Sequence, residues 1–252
     1  MTVALVVLNW NGREILERFL PEMLQYSKEA TIYVIDNNST DDSIDLLSTE
    51  FPDIKRIINK KNLGYAGGYN AGLKNIKEDL ICLINNDIRV TKNWLPPIIN
   101  FFKNNSNTGI VQPHILDEKD PSLFEYAGAA GGYIDRFGYP FCRGRIFDQI
   151  EQDEGQYNEN QNIFWASGAC LFIRNTLFQE LDGFDEDFFM YVEDVDFCKR
   201  LLKQDKQIIF YSEYEYIHFV GFNSSRELKL INGYKMYANK HFNFLSAIFA
   251  KI

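Results

Sequence analysis

The sequence predicts an α/β protein built on a Rossmann-like, doubly wound and mostly parallel sheet. Three observations carry that prediction. Short, wholly apolar runs alternate with segments whose apolar residues recur at helical spacing. The connections between them are short, as expected of strand–helix–strand units. Three of the runs also stop abruptly on polar clusters: Asn9 to Asn11, Asp36 to Asp42, and Asn85 to Asp87.

In chain order, Val3 to Leu8 is the first strand, apolar throughout and rich in β-branched residues. Arg13 to Gln25 then places Ile15, Leu16, Phe19, Leu20, Met23 and Leu24 on one helical face and Glu14, Glu17, Arg18 and Glu22 on the other. Thr31 to Ile35 is the second strand. Ser39 or Thr40 is expected to cap the helix carrying Ile44 and Leu47, which Phe51-Pro52 closes. Ile54 to Ile58 is a shorter strand, and the glycine-bearing stretch from Asn62 to Asn70 leads into a helix ending near Asn75. Leu80 to Ile84 reads as a strand buried on both faces.

Composition bounds the function. The apolar fraction of 46% and charged fraction of 24% are those of a globular chain able to bury a core. A net charge of −9 argues against a nucleic-acid partner, which would need clustered Lys and Arg. Cys82, Cys142, Cys170 and Cys198 are scattered without a Cys-x-x-Cys pair, as expected of reduced, buried thiols in a cytoplasmic protein. Met1 leads into an apolar run without a basic prelude, so no signal peptide is expected. No stretch approaches the ~20 apolar residues of a membrane span.

Two readings stand at the strand ends. Asn and Asp form turns, and a strand running into a turn needs no ligand. Right-handed crossovers, however, bring consecutive parallel strand ends to one edge of the sheet, where ligands of open α/β folds bind. Oxygen groups from Asn85, Asn86 and Asp87 would suit Mg²⁺ or Mn²⁺, which in turn bind phosphate. The Gly64–Gly72 stretch fits neither G-x-G-x-x-G nor a P-loop. Its glycines either let backbone N–H groups approach a diphosphate at a helix start or belong to a loop that merely tolerates glycine.

The second half is less regular. Gly109 to Gln112 and Ile163 to Ile173 are expected strands, the latter around Ser167-Gly168. Asn175 to Leu181 is a short helix with Asn175 as cap. Asp117 to Gln161 lacks periodicity, and a loop that long is functional or mobile. Aromatic residues such as its Tyr126, Tyr133, Phe137 and Tyr139 are more often core. Glu193-Asp194-Val195-Asp196 opens a helix to about Lys203. Acids there complement the helix dipole, and Asp196 with Arg200 forms an i,i+4 pair. The tail from Asn232 to Ile252 is expected to rest on the domain, with a homodimer surface or a peripheral membrane contact as the alternatives.

Several stretches resemble family-2 inverting glycosyltransferases of the GT-A fold. They are Val-Leu-Asn-Trp-Asn-Gly at 7–12, Val-Ile-Asp-Asn-Asn-Ser-Thr-Asp at 34–41, the loop at 62–70, and Asn85-Asn86-Asp87. Trp165 to Ala169, Gly183 to Glu186 and Phe189 to Asp196 continue the pattern in order. The resemblance runs from Val3 to about His218 and is strongest to the bacterial branch of rhamnosyl- and galactofuranosyltransferases. It implies a single domain over 1–252, with a nucleotide-sugar half (1–100), an acceptor and catalytic half (101–225) and a helical tail (226–252).

Residue by residue, the resemblance implies that Asn9, Asn11, Asp36 and Asn38 lie against base and ribose, with Asp36 accepting from a pyrimidine N–H. Asn62, Gly64 and Asn70 would lie near ribose and diphosphate, beside Asn85 and Asn86. Asp87 matches the last acid of a metal-binding Asp-x-Asp, and His218 a histidine that joins the metal. Here the first acid is Asn85, which brings no charge and lowers the affinity expected for Mg²⁺ or Mn²⁺. A histidine between Ile217 and Phe219 is otherwise a half-buried core residue. Trp165 and Gly168 would face the acceptor, with Tyr126, Tyr133, Phe137 and Tyr139 as sugar-stacking faces. Asp194 would be the general base, and Glu193 its neighbour contacting the acceptor. A helix start should keep Asp194 ionised.

The chain lacks the Gln-x-x-Arg-Trp motif and the membrane spans of processive members, so one sugar per encounter is expected. The expected function is transfer from a UDP- or dTDP-sugar, rhamnose among them, to a glycan or lipid-linked acceptor in cell-surface polysaccharide synthesis. A silent nucleotide-sugar or glycan-binding module and a nucleotidyltransferase are the rivals. Asn85 favours the first of these. The second would carry a basic phosphate loop, which Asn9 to Arg13 does not resemble.

Overall fold

A computed structural model describes residues 1–125, 128–146, 149–218 and 226–241, with backbone alone for 213–218 and 226–232. The first half alternates as the apolar pattern requires: β1 (Val3–Asn9), α1 (Arg13–Tyr26), β2 (Ala30–Asp36), α2 (Ser43–Thr49), β3 (Lys55–Ile58), α3 (Gly64–Leu73) and β4 (Leu80–Asn85). After the short β5 (Ile88–Arg89) come α4 (Leu95–Asn104) and β6 (Thr108–Asp117). Four small strands follow: β7 (Gly132–Ile134), β8 (Pro140–Cys142), β9 (Arg145–Ile146) and β10 (Gln149–Ile150). The chain then runs through β11 (Gln161–Asn162), β12 (Cys170–Arg174), α5 (Asn175–Glu180), α6 (Glu193–Leu202), β13 (Gln207–His218) and α7 (Arg226–His241).

Among the described residues the main sheet is ordered β11-β13-β6-β12-β4-β1-β2-β3, with β5 on β13. The β4-β1-β2-β3 block is parallel, as is β6 on β13. The sheet is covered on both faces, which is why its strands read as continuous apolar runs. Ala4 and Val6 face Tyr69 and Leu73 of α3 and Phe197 and Leu201 of α6. Val3, Leu5 and Val7 face Leu16 and Leu20 of α1, Leu46 of α2 and Ile98 of α4. All four cysteines are buried and free. No helix among the described residues is long and apolar enough to cross a membrane.

The second half departs from the sequence reading in several places, each with a physical cause. The strand expected at Gly109–Gln112 runs on past Pro113, because a register shift between Tyr211 and Glu215 of β13 accommodates the missing N–H. The strand expected from Ile163 begins only at Cys170. Ser167 N–H instead donates to Gln112 Oε1 (2.8 Å) and Gly168 N–H to Asp194 Oδ2 (2.9 Å), so neither joins a ladder. Part of the stretch read as irregular folds into a four-stranded antiparallel sheet, β10-β9-β8-β7. Neither expected cap holds: Asp41 accepts from Ser43 at the start of α2, and Asn175 Nδ2 donates to the Ile76 and Glu78 carbonyls.

One topological feature matters most for the site. β12 enters antiparallel between β4 and β6, pairing Cys170 with Ile84. Its reversed direction delivers residues 165–169 to the same sheet edge as Asn85.

Candidate active site

The C-terminal edge of the parallel block is a network of amides. Asn9 and Asp36 are register partners at the ends of β1 and β2. Asn9 Nδ2 donates to Asp36 Oδ2 (3.2 Å), and Asn86 Nδ2 donates to Asn9 Oδ1 (3.0 Å). The three polar clusters expected to converge thus meet. Ser39 N–H donates to Asp36 Oδ1 (2.8 Å), and Asn11 Oδ1 accepts from Thr40 N–H (2.7 Å). Asn11 and Asn38 sit at φ of 51° and 65°, a left-handed region that Asn tolerates better than most residues. Asp36 is only 1% exposed, with both oxygens engaged, so a base N–H would have to use its remaining lone pairs.

Asn37, passed over in the sequence, is the hub of the next layer. Its Nδ2 donates to Asn62 Oδ1 (3.0 Å) and the Gly64 carbonyl (2.9 Å), and its Oδ1 accepts from Asn59 Nδ2 (3.0 Å) and Leu63 N–H (3.2 Å). Its burial between two polar neighbours on a strand end was the available signal.

The start of α3 does not offer the diphosphate cradle that its glycines suggested. Gly64 N–H donates to Asn62 Oδ1 (2.9 Å), Tyr65 N–H to the Phe189 carbonyl (2.7 Å), and Ala66 N–H to the same carbonyl (3.4 Å). The free N–H groups of the helix start are therefore already used. Gly64 is required for a different reason: φ is +72°, and a Cβ would run into the Phe189 carbonyl oxygen. Asn70 is likewise placed structurally, donating to the Phe184 carbonyl (2.8 Å) and Glu186 Oε1 (3.1 Å) and accepting from Phe184 N–H (2.9 Å).

Across the edge, α6 opens with Glu193 and Asp194 in contrasting surroundings. Asp194 Oδ2 accepts from Gly168 N–H (2.9 Å) and Oδ1 from Val195 N–H (2.8 Å). Burial raises its pKa and these bonds pull the other way, leaving it above the ordinary aspartate value although the acid stands at a helix start. Glu193 is 4% exposed, and its Oε2 has no hydrogen-bond partner among the described residues. Burial, with the Asp194 charge adding to it, holds Glu193 well above the carboxylate range. Of the two carboxyls, Glu193 is held further toward its neutral form, and Asp194, with two N–H donors, is the better placed to carry charge.

Tyr65 completes this corner and was also missed. Its hydroxyl donates to the Gly168 carbonyl (2.5 Å), so Gly168 is held from both sides, by Tyr65 and by Asp194. A Cβ on Gly168 would lie 2.6 Å from the Tyr65 hydroxyl oxygen. Trp165 is 8% exposed, its indole N–H donates to the Tyr133 carbonyl (2.8 Å), and its ring packs under Gly132. That placement is structural and leaves little ring face for an acceptor. Phe137 and Tyr139 on the small sheet are exposed and Tyr133 half-buried, while Tyr126 lies outside the described residues.

Asp87 is half-buried directly after β4. His218 pairs through its backbone with Ile88, one residue from Asp87, although its side chain lies outside the described residues. No group of three His, Cys, Asp or Glu that could hold a metal occurs among the described residues. The Asp87 carboxylate and the Asn85 amide are oxygen donors of the kind a hard cation takes, with phosphate and water to supply further ligands.

The family model described as glycosyl transferase family 2 matches residues 4–182. The chain belongs to that family. The transferase is 24% identical over 227 residues to N-acetylglucosaminyl-diphospho-decaprenol L-rhamnosyltransferase of Mycobacterium tuberculosis, covering 84% of this chain and 74% of that one. It is 22% identical to the low-salt glycan biosynthesis hexosyltransferase Agl10 of Haloferax volcanii, covering 82% and 63%. With the rhamnosyltransferase WbbL of Escherichia coli K12 the identity is 24%, covering 62% and 61%. Among solved structures, GalNAc-T7 with UDP, GalNAc and Mn²⁺ matches with a TM-score of 0.72 at 15% identity, over 95% of the transferase and 48% of that chain. S. aureus TarS 1-349 in complex with UDP matches with a TM-score of 0.64 at 15% identity, over 98% and 68%. The transferase thus spans about half the length of the first of these structures, and both likenesses establish the GT-A fold.

Proposed function

We propose that this chain transfers one sugar, with inversion, from a pyrimidine-nucleotide donor to a hydroxyl of a glycan or lipid-linked acceptor. UDP- and dTDP-sugars, dTDP-rhamnose among them, are the donors proposed. The observation that carries this reading is the pair of a buried Glu193 and a half-buried Asp194 at the sheet edge where the amide network of Asn9, Asp36 and Asn86 also ends. Relatives named for rhamnosyl transfer and for a diphospho-decaprenol acceptor support the substrate classes.

Asp194 is the general base. Its two N–H partners hold the carboxylate in one orientation, and its raised pKa makes it a stronger base than an exposed aspartate. The acceptor oxygen attacks the anomeric carbon as the bond to the diphosphate oxygen breaks, and the acceptor proton passes to Asp194. Glu193, neutral, avoids a second negative charge beside the base. Asn9, Asp36 and Asn62 position base and ribose. Asp87 and His218 would hold Mg²⁺ or Mn²⁺, whose charge would offset that of the departing diphosphate.

Asp194→Asn preserves shape and cannot take the proton. Turnover is expected to fall by about 10²–10⁴, with nucleotide affinity by calorimetry unchanged. Near-native turnover of Asp194→Asn would transfer the role to Glu193. Nucleotide binding by the wild type without transfer to any acceptor would favour the silent module, the reading to which Asn85 lends weight.

A further inference from the structure

We infer that the C-terminal helix α7 is a clamp on the active-site segment, fixing the position from which Glu193 and Asp194 are presented. The inference rests on the reading of that pair as catalytic. The segment before the pair is strained: Phe189, Tyr191 and Val192 have φ of 52°, 73° and 72°. Such backbone persists only when its surroundings over-determine it. α7 supplies part of those surroundings. A Cβ on Gly233 would lie 2.9 Å from the Tyr191 carbonyl oxygen and 2.9 Å from Val192 Cγ2, so the helix backbone sits directly on the strained residues.

The other end of α7 is pinned at Asp196, a fully buried acid two residues after the proposed base. Its Oδ1 accepts from His241 Nε2 (2.6 Å) and Lys240 Nζ (2.8 Å), and its Oδ2 from Arg200 Nε (2.8 Å). Burial would raise this carboxyl, but the bonds from His241, Lys240 and Arg200 hold it well below the usual range. The pin reaches further. Lys240 also bonds Asp185 Oδ2 (2.6 Å), and Arg200 donates to the Leu181 and Gly183 carbonyls (2.7 Å each). Between pin and backbone contact, Tyr237 and Ala238 are buried, and Lys199 Nζ lies 5.1 Å from the Tyr237 ring centre. α7 therefore contacts the 185–196 segment near both ends, at Asp185 and Asp196, and between them at Tyr191 and Val192. The family match ends at residue 182, before Asp185, the strained residues, Asp196 and α7.

The test uses the full chain. In Lys240→Ala/His241→Ala, amide exchange across 189–195 should rise about tenfold or more as local opening becomes easier. In the same variant kcat should fall about tenfold or more while donor KM stays within about twofold. Lys240→Arg/His241→Gln keeps donors to Asp196 and should restore both readouts. Gly233→Ala guards against simple unfolding. Alanine is ordinarily the better helix former, so here an unchanged or higher helix content with a lower kcat is expected. Native exchange or native kcat in the double alanine variant overturns the clamp. Faster exchange in a parent that transfers no sugar supports the clamp as structure and removes the catalytic reading beneath it.

Discussion

Glu193 and Asp194 are neighbours in sequence and opposites in surroundings: one carboxyl has an oxygen without a partner among the described residues, the other accepts two backbone N–H groups. A consequence follows for stability. Because the Glu193 pKa is raised in the folded state, the folded protein binds more protons, and the stabilisation is complete below the unfolded value. It is lost as pH rises through the folded value. Glu193→Gln should therefore raise the melting temperature at neutral and alkaline pH and flatten its decline there, as read by thermal melts from about pH 5 to 9. A decline identical to the wild type would show that Glu193 is ionised in the fold. Asp196 has the opposite sign, since its lowered pKa gives stability above the ordinary aspartate value that is lost as pH falls. Asp196→Asn should remove that acid-side loss at a cost of about 1–3 kcal/mol, since the acid is buried while its partners Arg200 and Lys240 keep part of their hydration.

At the scale of elements, what could be read from the sequence depended on where each element's hydrogen bonds go. β1 and β4 were legible because their bonds are made within a sheet covered on both faces, which leaves a continuous apolar run. The start of β12 was not, since Ser167 and Gly168 donate to Gln112 and Asp194, far away in the chain. The start of α3 misled for the same reason. Its glycines did signal a close approach of backbone, but the approaching group is the Phe189 carbonyl. Gly64→Ala should accordingly do more than remove flexibility. The positive φ and the collision with Phe189 together should cost about 2–4 kcal/mol. Chemical denaturation measures it, and a change below about 1 kcal/mol would show that the helix start and the Phe189 segment are not locked together.

At the scale of the whole molecule, convergence of the strand ends was legible because parallel strands joined by right-handed crossovers can end at only one edge. The division of labour there was less so. Asn9, Asp36 and Asn86 do meet, whereas Asn70 and Trp165 spend their polar groups on holding neighbouring chain. The sequence shows residue type and spacing, but whether an amide faces a ligand or a carbonyl depends on contacts across the fold. With the start of α3 capped, the proposed donor diphosphate depends on the cation for its charge balance. UDP or dTDP with Mn²⁺ should raise the melting temperature, by about 2.7 kcal/mol of stability at a hundredfold excess over Kd. Chelator should reverse most of the shift, and GDP or ADP should give less. Equal shifts for purine and pyrimidine diphosphates would remove Asp36 from base selection.

The Phe189 carbonyl that closes α3 also stands five residues before the proposed base, so one short stretch of chain is measured at both ends. Its length is then as fixed as a link in a bicycle chain. An insertion or deletion of one residue between 189 and 194 would leave either the helix start uncapped or the carboxylate out of place. Over evolutionary time, changes in length should therefore be purged from this stretch and accumulate on the four-stranded sheet at 132–150. A library of single-residue insertions along the chain, sorted for transfer, should draw the same boundary.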